Sequence, residues 1–237
     1  MSMISRSYGW LARQAERSEV ECRVKELLLL EANPDTELLD VGCADGKFTL
    51  KVADKIGTNK IHGIEVVEED INKARSVGIN VRQGNLNQKF PYEDESFNVA
   101  IASHVIEHLA NTDNFLKEIY RVLKTGGYLV IATPNLAAWP HIALLMFGKQ
   151  PTIAEVSDEA LVGTWSPRGG CVDRAGPAHR RIFTTGALEG LLEYYGFSIE
   201  RSIGVGFFPL PNPPAKVISY LDKRHATNIV LKARKGH

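Results

Sequence analysis

The amino-acid sequence predicts an α/β fold with a mostly parallel sheet and helices on both of its faces. Two observations support this prediction. Five short apolar runs recur between residues 38 and 132, and segments with apolar side chains at helical spacing separate them. Strands that alternate with helices form βαβ units, so we expect parallel pairing, burial on both faces and right-handed crossovers.

The predicted elements follow one another in a regular order. Strands are expected at residues 38–41, 60–64, 79–82, 97–102 and 128–132. Helices are expected at residues 47–56 and 67–77, and along the stripe Phe115, Leu116, Ile119, Val122 and Leu123, which residues 124–127 terminate. The first thirty residues are also predicted to be helical, with an apolar face of Leu11, Ala15, Val20, Val24, Leu27 and Leu28.

Residues 134–181 interrupt this order. They contain Pro134, Pro140, Pro151, Pro167 and Pro177, and so long a stretch between regular elements is usually functional or mobile. After it we expect a helix at 184–195, strands at 197–204 and 227–233, and a short helix at 215–223. The chain (1–237) is predicted to be a single domain with an N-terminal helical cap (1–32), a lid-like insertion after the fifth strand (134–181), and a substrate-side loop and short helix (207–223).

Composition excludes several classes of protein. The 237 residues include 28 Lys and Arg against 28 Asp and Glu, and 44% are apolar, which is typical of a globular chain and argues against a nucleic-acid binder. The longest clean apolar run is only Ile142–Phe147, too short to span a membrane. Cys22, Cys43 and Cys171 form no C-x-x-C pair, and residues 1–11 lack a signal-peptide core, so we expect a cytoplasmic protein. The oligomeric state stays open.

The segment L-L-D-V-G-C-A-D-G at residues 38–46 is the strongest candidate site. A strand runs into a turn of small residues and then into a helix, so the backbone can approach a ligand and helix N–H groups are available. Glu65 ends the second strand, and an acid there can accept hydrogen bonds from a ribose. Each residue alone could be structural, but their order favours a nucleotide site.

This pattern resembles motif I of the class I S-adenosylmethionine-dependent methyltransferases, and it lacks the third glycine of a dinucleotide fingerprint. Further segments match the family in order: G-N-L at 84–86, F-N-V-A-I-A-S-H-V-I-E-H-L at 97–109, R-V-L-K-T-G-G at 121–127, T-P-N at 133–135 and H-R-R-I-F-T at 179–184 with L-L-x-x-x-G-F at 191–197. Methyltransferase-11/12 and ubiquinone-type enzymes are the most similar. The resemblance implies a Rossmann-like seven-stranded sheet whose last strand is antiparallel. It also implies in-line transfer of a methyl group from S-adenosylmethionine to an O, C or N atom of a small molecule. Such a molecule could be a quinone-like ring, a sugar or a lipid head group.

The resemblance also assigns roles to residues at the strand ends. Asp40 and the bend formed by Gly42, Cys43, Ala44, Asp45 and Gly46 would hold the methionine part of the cofactor. Glu65, with Val66, would hold the ribose, and Asn85 and Leu86 the adenine. Ser103 and His104 would line the methyl-transfer face. Two departures are notable: Ala44 replaces a glycine, and Asn85 replaces an aspartate, which keeps an acceptor but removes a charge.

His104, Glu107 and His108 form a second candidate group. Their spacing would put them on one helical face, and imidazole with carboxylate is plausible metal chemistry, as in the E-x-x-E-H of ubiquinone-type enzymes. Such residues also occur beside pockets that need no metal. We predict no metal, leaving that alternative open, and assign His104 as the catalytic residue, either a general base or a group that orients the acceptor.

The substrate side is expected in the 134–181 insertion and in the loop after Gly206. Between Val162 and Ile182, four arginines stand against a single acid, Asp173, which predicts an anionic acceptor or, alternatively, a solvated basic loop. The four are Arg168, Arg174, Arg180 and Arg181. His108, His179 and Arg180 are the candidate substrate residues. An apolar patch, expected to be a lid or a packing surface, comprises Trp139, Ile142, Leu144, Leu145, Met146 and Phe147.

Two alternatives to a methyltransferase remain at this stage. One is a nicotinamide-dependent oxidoreductase, which the missing glycine and the L-K-T-G-G turn disfavour. The other is a non-catalytic binding subunit with a methyltransferase fold, which Asn85 permits.

Overall fold

The computed structural model describes residues 20–164, 172–173, 178–207, 218 and 221–236. Its centre is a seven-stranded sheet. The strands are β1 (Leu38–Val41), β2 (Ile61–Glu65), β3 (Asn80–Gln83), β4 (Phe97–Ser103), β5 (Leu123–Pro134), β8 (Phe197–Val205) and β9 (Asn228–Lys235). Their order across the sheet is β3-β2-β1-β4-β5-β9-β8. Strand β9 runs antiparallel to both β5 and β8, and the other pairs are parallel. The predicted Rossmann-like sheet with an antiparallel last strand is therefore confirmed.

Helices connect the strands and cover both faces of the sheet. The described part of α1 spans residues 20–28. It is followed by α2 (Lys47–Ile56), α3 (Glu68–Ser76), α4 (Thr112–Val122), α5 (Trp139–Met146) and α6 (Thr185–Tyr194). Side chains cap two of them, since Asn111 accepts the Asn114 N–H at the start of α4 and Thr184 accepts the Ala187 N–H at the start of α6. The insertion after β5 carries α5 and a two-stranded ribbon, β6 (Ala160–Leu161) with antiparallel β7 (Val172–Asp173).

The sheet separates two apolar cores. On one face, α1 and α2 contribute Cys22, Leu29 and Val52, among others, against the inner strands. On the other face, α4 and α6 contribute Phe115 and Leu188 to a larger cluster. Because strands in such a sheet are buried on both faces, β1 and β4 are almost continuously apolar, as their sequences indicate.

Two local predictions are wrong. The predicted face of α1 is largely exposed, at 64% for Val20, 49% for Val24 and 63% for Leu28. The buried face carries Cys22, Glu26, Leu29 and Leu30 instead, so a charged residue lies in the middle of the packed stripe.

Strand β5 also starts earlier than predicted. It begins at Leu123, which pairs with Phe97, and the register then shifts before Val99 pairs with Tyr128. Leu11 and Ala15, and all of the predicted 215–223 helix except residues 218 and 221–223, lie outside the described residues. Within the described part of the chain, no helix has the length and apolar character needed to cross a membrane.

Candidate functional site

The bend between β1 and α2 is shaped by backbone conformations that favour glycine. Gly42 has a φ of 86°, Gly46 of 80°, and Ala44 between them adopts a φ of 44°. A Cβ added to Gly42 would lie 2.7 Å from Val105 Cγ2, and one added to Gly46 would lie 2.5 Å from Ile79 Cδ1. Both glycines are therefore required for the bend to pack this closely against its neighbours.

Glu65, at the end of β2, faces this bend. Its Oε2 accepts the Ala44 N–H at 3.0 Å, and its Oε1 accepts the N–H groups of Val66 at 2.7 Å and Val67 at 3.1 Å. The parallel register, with Val41 opposite Ile64, brings the two strand ends together. The predicted pairing of bend and acid is thus realised in space, and three backbone donors fix the orientation of the carboxylate.

Asp40 contributes its side chain to the bend, whereas Cys43 contributes only its backbone. Asp40 is buried beneath the bend and accepts a hydrogen bond from Thr49 Oγ1 at 2.6 Å, which ties β1 to α2. Burial raises the pKa of Asp40 to about 6. Burial also raises the pKa of Cys43 to about 12, and its Sγ packs toward Gly63, so the thiol is protonated and only the Cys43 backbone belongs to the bend.

The end of β3 lies beside Glu65, because the Gly84 N–H donates to the Glu65 carbonyl. Asn85 is exposed, and its amide oxygen accepts two hydrogen bonds from Asn87, from the backbone N–H at 3.0 Å and from Nδ2 at 3.2 Å. The Asn85 amide oxygen, which was expected to accept a hydrogen bond from the adenine amino group, therefore already accepts hydrogen bonds within its own turn. Leu86 packs against the core, and Val66 is 59% exposed next to Glu65.

The end of β4 carries a linked set of polar side chains. Ser103 Oγ donates to Glu26 Oε2 at 3.1 Å. His104 has a φ of 55°, unusual for a residue with a side chain, and its Nδ1 lies 3.3 Å from Glu107 Oε1. Glu107 is buried and also accepts a hydrogen bond from Thr133 Oγ1 at 3.0 Å.

Burial is the largest single effect and would raise the pKa of Glu107, but the hydrogen bond with His104 and the charge of His104 are among the effects that together outweigh it. The pKa of Glu107 therefore lies below its usual value, and the group is a carboxylate. A carboxylate on the Nδ1 side stabilises the tautomer in which Nε2 is the basic nitrogen. The structure thus places a carboxylate at Nδ1 of His104, and the catalytic role of this histidine stays a prediction.

His108 and His179 lie together, although 71 positions separate them in the sequence. Their rings stack with centroids 5.0 Å apart. His108 Nδ1 lies 3.1 Å from the Ala178 carbonyl, and His179 Nδ1 lies 3.1 Å from both oxygens of Glu155. With Glu107 they form the His–His–Glu cluster, whose ligand atoms lie within 4.8 Å of one another. This is the set of described residues that could hold a metal, and it contains His179 in place of the expected His104.

The arginines of the insertion have protein partners nearby. A guanidinium nitrogen of Arg180 lies 3.7 Å from Asp158, and Arg181 donates to the Ala110 carbonyl at 2.9 Å. Arg168 and Arg174 lie outside the described residues. The anionic acceptor therefore stays a prediction.

Helix α5 presents much of the predicted apolar patch to solvent. Leu145 is 54% exposed, Met146 79% and Phe147 81%. Its first residue, Trp139, anchors the helix by donating a hydrogen bond from Nε1 to Asp222 at 3.0 Å. The patch is therefore an open surface at the carboxyl side of β5.

Several side chains that shape the site were not among the residues predicted from the sequence. Thr49 and Glu155 gave no signal, and Thr133 lies in the T-P-N segment but received no role. Glu26 could have been found, because it lies four residues after Cys22 and three before Leu29, on the face that packs against the sheet.

Comparison with known proteins gives consistent matches. A family described as "Methyltransferase domain" matches residues 13–202. A "Probable S-adenosylmethionine-dependent methyltransferase" of Mycolicibacterium smegmatis is 28% identical over 82% of this chain and 62% of its own length. A ubiquinone biosynthesis O-methyltransferase of Maricaulis maris is 27% identical over 73% of this chain and 63% of its own. The chain thus spans less than two thirds of these relatives. An S-adenosylmethionine-dependent methyltransferase from Mesorhizobium loti shares the fold, with a TM-score of 0.57 and 18% identity over 88% of this chain and 94% of that one.

Proposed function

Because this chain belongs to the methyltransferase-domain family of class I S-adenosylmethionine-dependent methyltransferases, we propose that it transfers a methyl group from S-adenosylmethionine to a small-molecule acceptor. The observation that carries the proposal is the Glu65 carboxylate held against the Gly42–Gly46 bend by the Ala44 N–H. A carboxylate in this place can accept both hydroxyl groups of a ribose, and the bend allows close approach of the ligand.

The residues present fit a positively charged cofactor. Glu26, Asp40 and Glu65 place three carboxyl groups around the bend and the end of β4, and Glu26 Oε1 has no hydrogen-bond partner among the described residues. Val66 offers an exposed apolar side chain next to Glu65, suited to a nucleobase face. When bound, S-adenosylmethionine supplies an electrophilic methyl group on a sulfonium.

The chain's own residues contribute orientation and a base. Asp40, through Thr49, holds the bend in place, and the Ser103 side chain lies at the neighbouring strand end. His104 takes the proton of an acceptor hydroxyl at Nε2, while Glu107 holds Nδ1 and stabilises the imidazolium that forms. Aligning acceptor and donor can supply about 7–11 kcal/mol of the barrier, so positioning is the larger contribution.

The acceptor is proposed to be a small molecule with an apolar body. The exposed Leu145, Met146 and Phe147 of α5 lie at the carboxyl side of the sheet, where a hydrophobic acceptor could rest. The relatives named as ubiquinone biosynthesis O-methyltransferases support an oxygen acceptor. His108, His179 and Arg180 remain the residues proposed to bind its polar end.

The test is methyl transfer from isotopically labelled S-adenosylmethionine to a metabolite extract, with labelled products identified by mass spectrometry. We expect a labelled small molecule with wild-type protein, and a rate about 10²–10⁴ lower with His104→Gln, which removes the base. Glu193→Gln, a change at an exposed residue of α6, serves as the control and should retain activity. Cofactor binding without labelled product from any extract would favour the non-catalytic alternative.

A further inference from the structure

Glu26 is a buried acid to which no particular group of the cofactor has yet been assigned. It has no exposed surface, and its Oε2 accepts the hydrogen bond from Ser103 Oγ. Its Oε1 is buried without a hydrogen-bond partner in the part of the chain that the structure describes. Leaving a buried acceptor unsatisfied is costly, so such a group usually indicates a ligand or a function.

The position of Glu26 follows from strand register. Asp40 near the end of β1 pairs with Ile101 near the end of β4, so the bend that follows β1 starts at the same end of the sheet as Ser103, to which Glu26 is bonded. Glu26 therefore approaches the point where the bend meets the end of β4. This is the region assigned to the methionine end of the cofactor.

The electrostatic surroundings of Glu26 are set by a few groups. His104 at the end of β4 and Arg23 on α1 lower the pKa of Glu26, as does the Ser103 hydrogen bond, and Asp40 on β1 raises it. Burial is the largest effect, and the pKa rises to about 7. A neutral-pH sample thus contains Glu26 in both forms, and a nearby cation would favour the carboxylate.

We propose that Glu26 binds the ammonium group at the methionine end of the cofactor. The inference rests on the proposed function and deepens it. An ammonium carries three N–H donors, one of which would satisfy Oε1, whereas a sulfonium carries a charge but no donor. Helix α1 therefore supplies a cofactor ligand from outside the Gly42–Gly46 bend.

Three ligands separate this role from others. Glu26→Gln keeps the size of the side chain and removes the charge. Calorimetry measures the binding of S-adenosylmethionine, S-adenosylhomocysteine and 5′-methylthioadenosine. The third of these ligands lacks the amino-acid part. We expect the Kd of the first two to rise about 10- to 100-fold, and that of the third to change less than about twofold, as expected for loss of one charged hydrogen bond.

The alternative outcomes are distinct. An equal loss of affinity for all three ligands would mean that Glu26 only supports the fold. A loss of affinity confined to S-adenosylmethionine would assign Glu26 to the sulfonium. Either result overturns the inference, as does an unchanged Kd for all three ligands. Wild-type protein that binds none of the three would overturn the proposed function itself, and the inference with it.

A second measurement needs no variant. Because binding of an ammonium favours ionised Glu26, wild-type protein should release about half a proton on binding S-adenosylhomocysteine at pH 7, measured from heats in buffers of different ionisation enthalpy. Binding of 5′-methylthioadenosine should release markedly less. Equal proton release for the two ligands would contradict the proposal, even if Glu26→Gln failed to fold.

Discussion

Replacement of Glu65 tests the centre of the proposed site. The Glu65 carboxylate accepts N–H groups from Ala44, Val66 and Val67. Glu65→Gln keeps one acceptor oxygen and removes the charge, so it should weaken a charge-assisted contact with ribose worth about 1.5–3 kcal/mol, which corresponds to about a 10- to 150-fold higher Kd. Glu65→Ala also frees the Ala44 N–H and should weaken binding further.

Calorimetric titration with S-adenosylhomocysteine measures this effect, and thermal unfolding checks the fold. Glu65 is partly exposed, so we expect its replacement by Gln to change stability little. Glu68→Gln, an exposed acid at the start of α3, is the matched control and should bind as the wild type does. If Glu65→Ala bound the ligand with unchanged affinity, the assignment of the bend and its acid to a nucleoside cofactor would be refuted.

Three further predictions concern stability and metal. Arg121→Ala should lower the free energy of unfolding in urea by about 2–4 kcal/mol, because its guanidinium joins Glu118 on α4 to backbone carbonyls before β4; an unchanged midpoint would contradict this. Activity should survive a chelator, because the carboxylate of the His–His–Glu cluster already has protein partners. A loss of activity that added Mg²⁺ or Zn²⁺ reverses would instead show a metal site. Burial raises the pKa of Asp40 to about 6 and of Glu26 to about 7, so the folded state binds these protons more tightly. Their stabilising effect is present below about pH 4 and lost as the pH rises through 6 to 7, so melting temperatures should fall from pH 5 to 8, and less steeply in Asp40→Asn.

The order of elements was predictable because local patterns determine it. The strand at Leu38–Val41 and the helix at Lys47–Ile56 have the predicted bounds, since glycine punctuates both ends of this helix. The start of β5 was not predictable in the same way. The pair Gly126-Gly127 looks like a helix stop, and only the pairing of Leu123 with Phe97 shows that the strand has already begun.

The face of α1 was mispredicted for a different physical reason. Apolar periodicity assigns Val20, Val24 and Leu28 to the core, but the neighbouring face carries Glu26. A carboxyl group in the middle of a packed stripe lowers the apparent amphipathicity of the correct face. Only the Ser103 hydroxyl, 77 positions away, shows that this acid has a partner in the interior.

Some residues of the candidate site could likewise be predicted from the sequence, and others could not. The bend and Glu65 could be predicted because two adjacent parallel strands end together, which the element order alone implies. The partners of His179 could not, because His179 and Glu155 both lie in the irregular insertion, whose path the element order does not determine. The family match in turn disfavours the nicotinamide-dependent alternative, as the missing third glycine had indicated.

Helix α1 is held at both edges of the sheet, and this bears on the role of Glu26. Just beyond the helix, the Glu31 N–H donates to the Tyr128 hydroxyl at 2.9 Å, and the Glu31 carboxylate pairs with Lys232 and Arg234 on β9. Those contacts lie toward the amino edge of β5, whereas Glu26 meets Ser103 at the carboxyl edge of β4. A helix anchored at these two points cannot easily rotate to bring Glu26 to water. The proposed ammonium site would therefore gain its charge through a change in the pKa of Glu26, which burial has raised, rather than through a movement of helix α1.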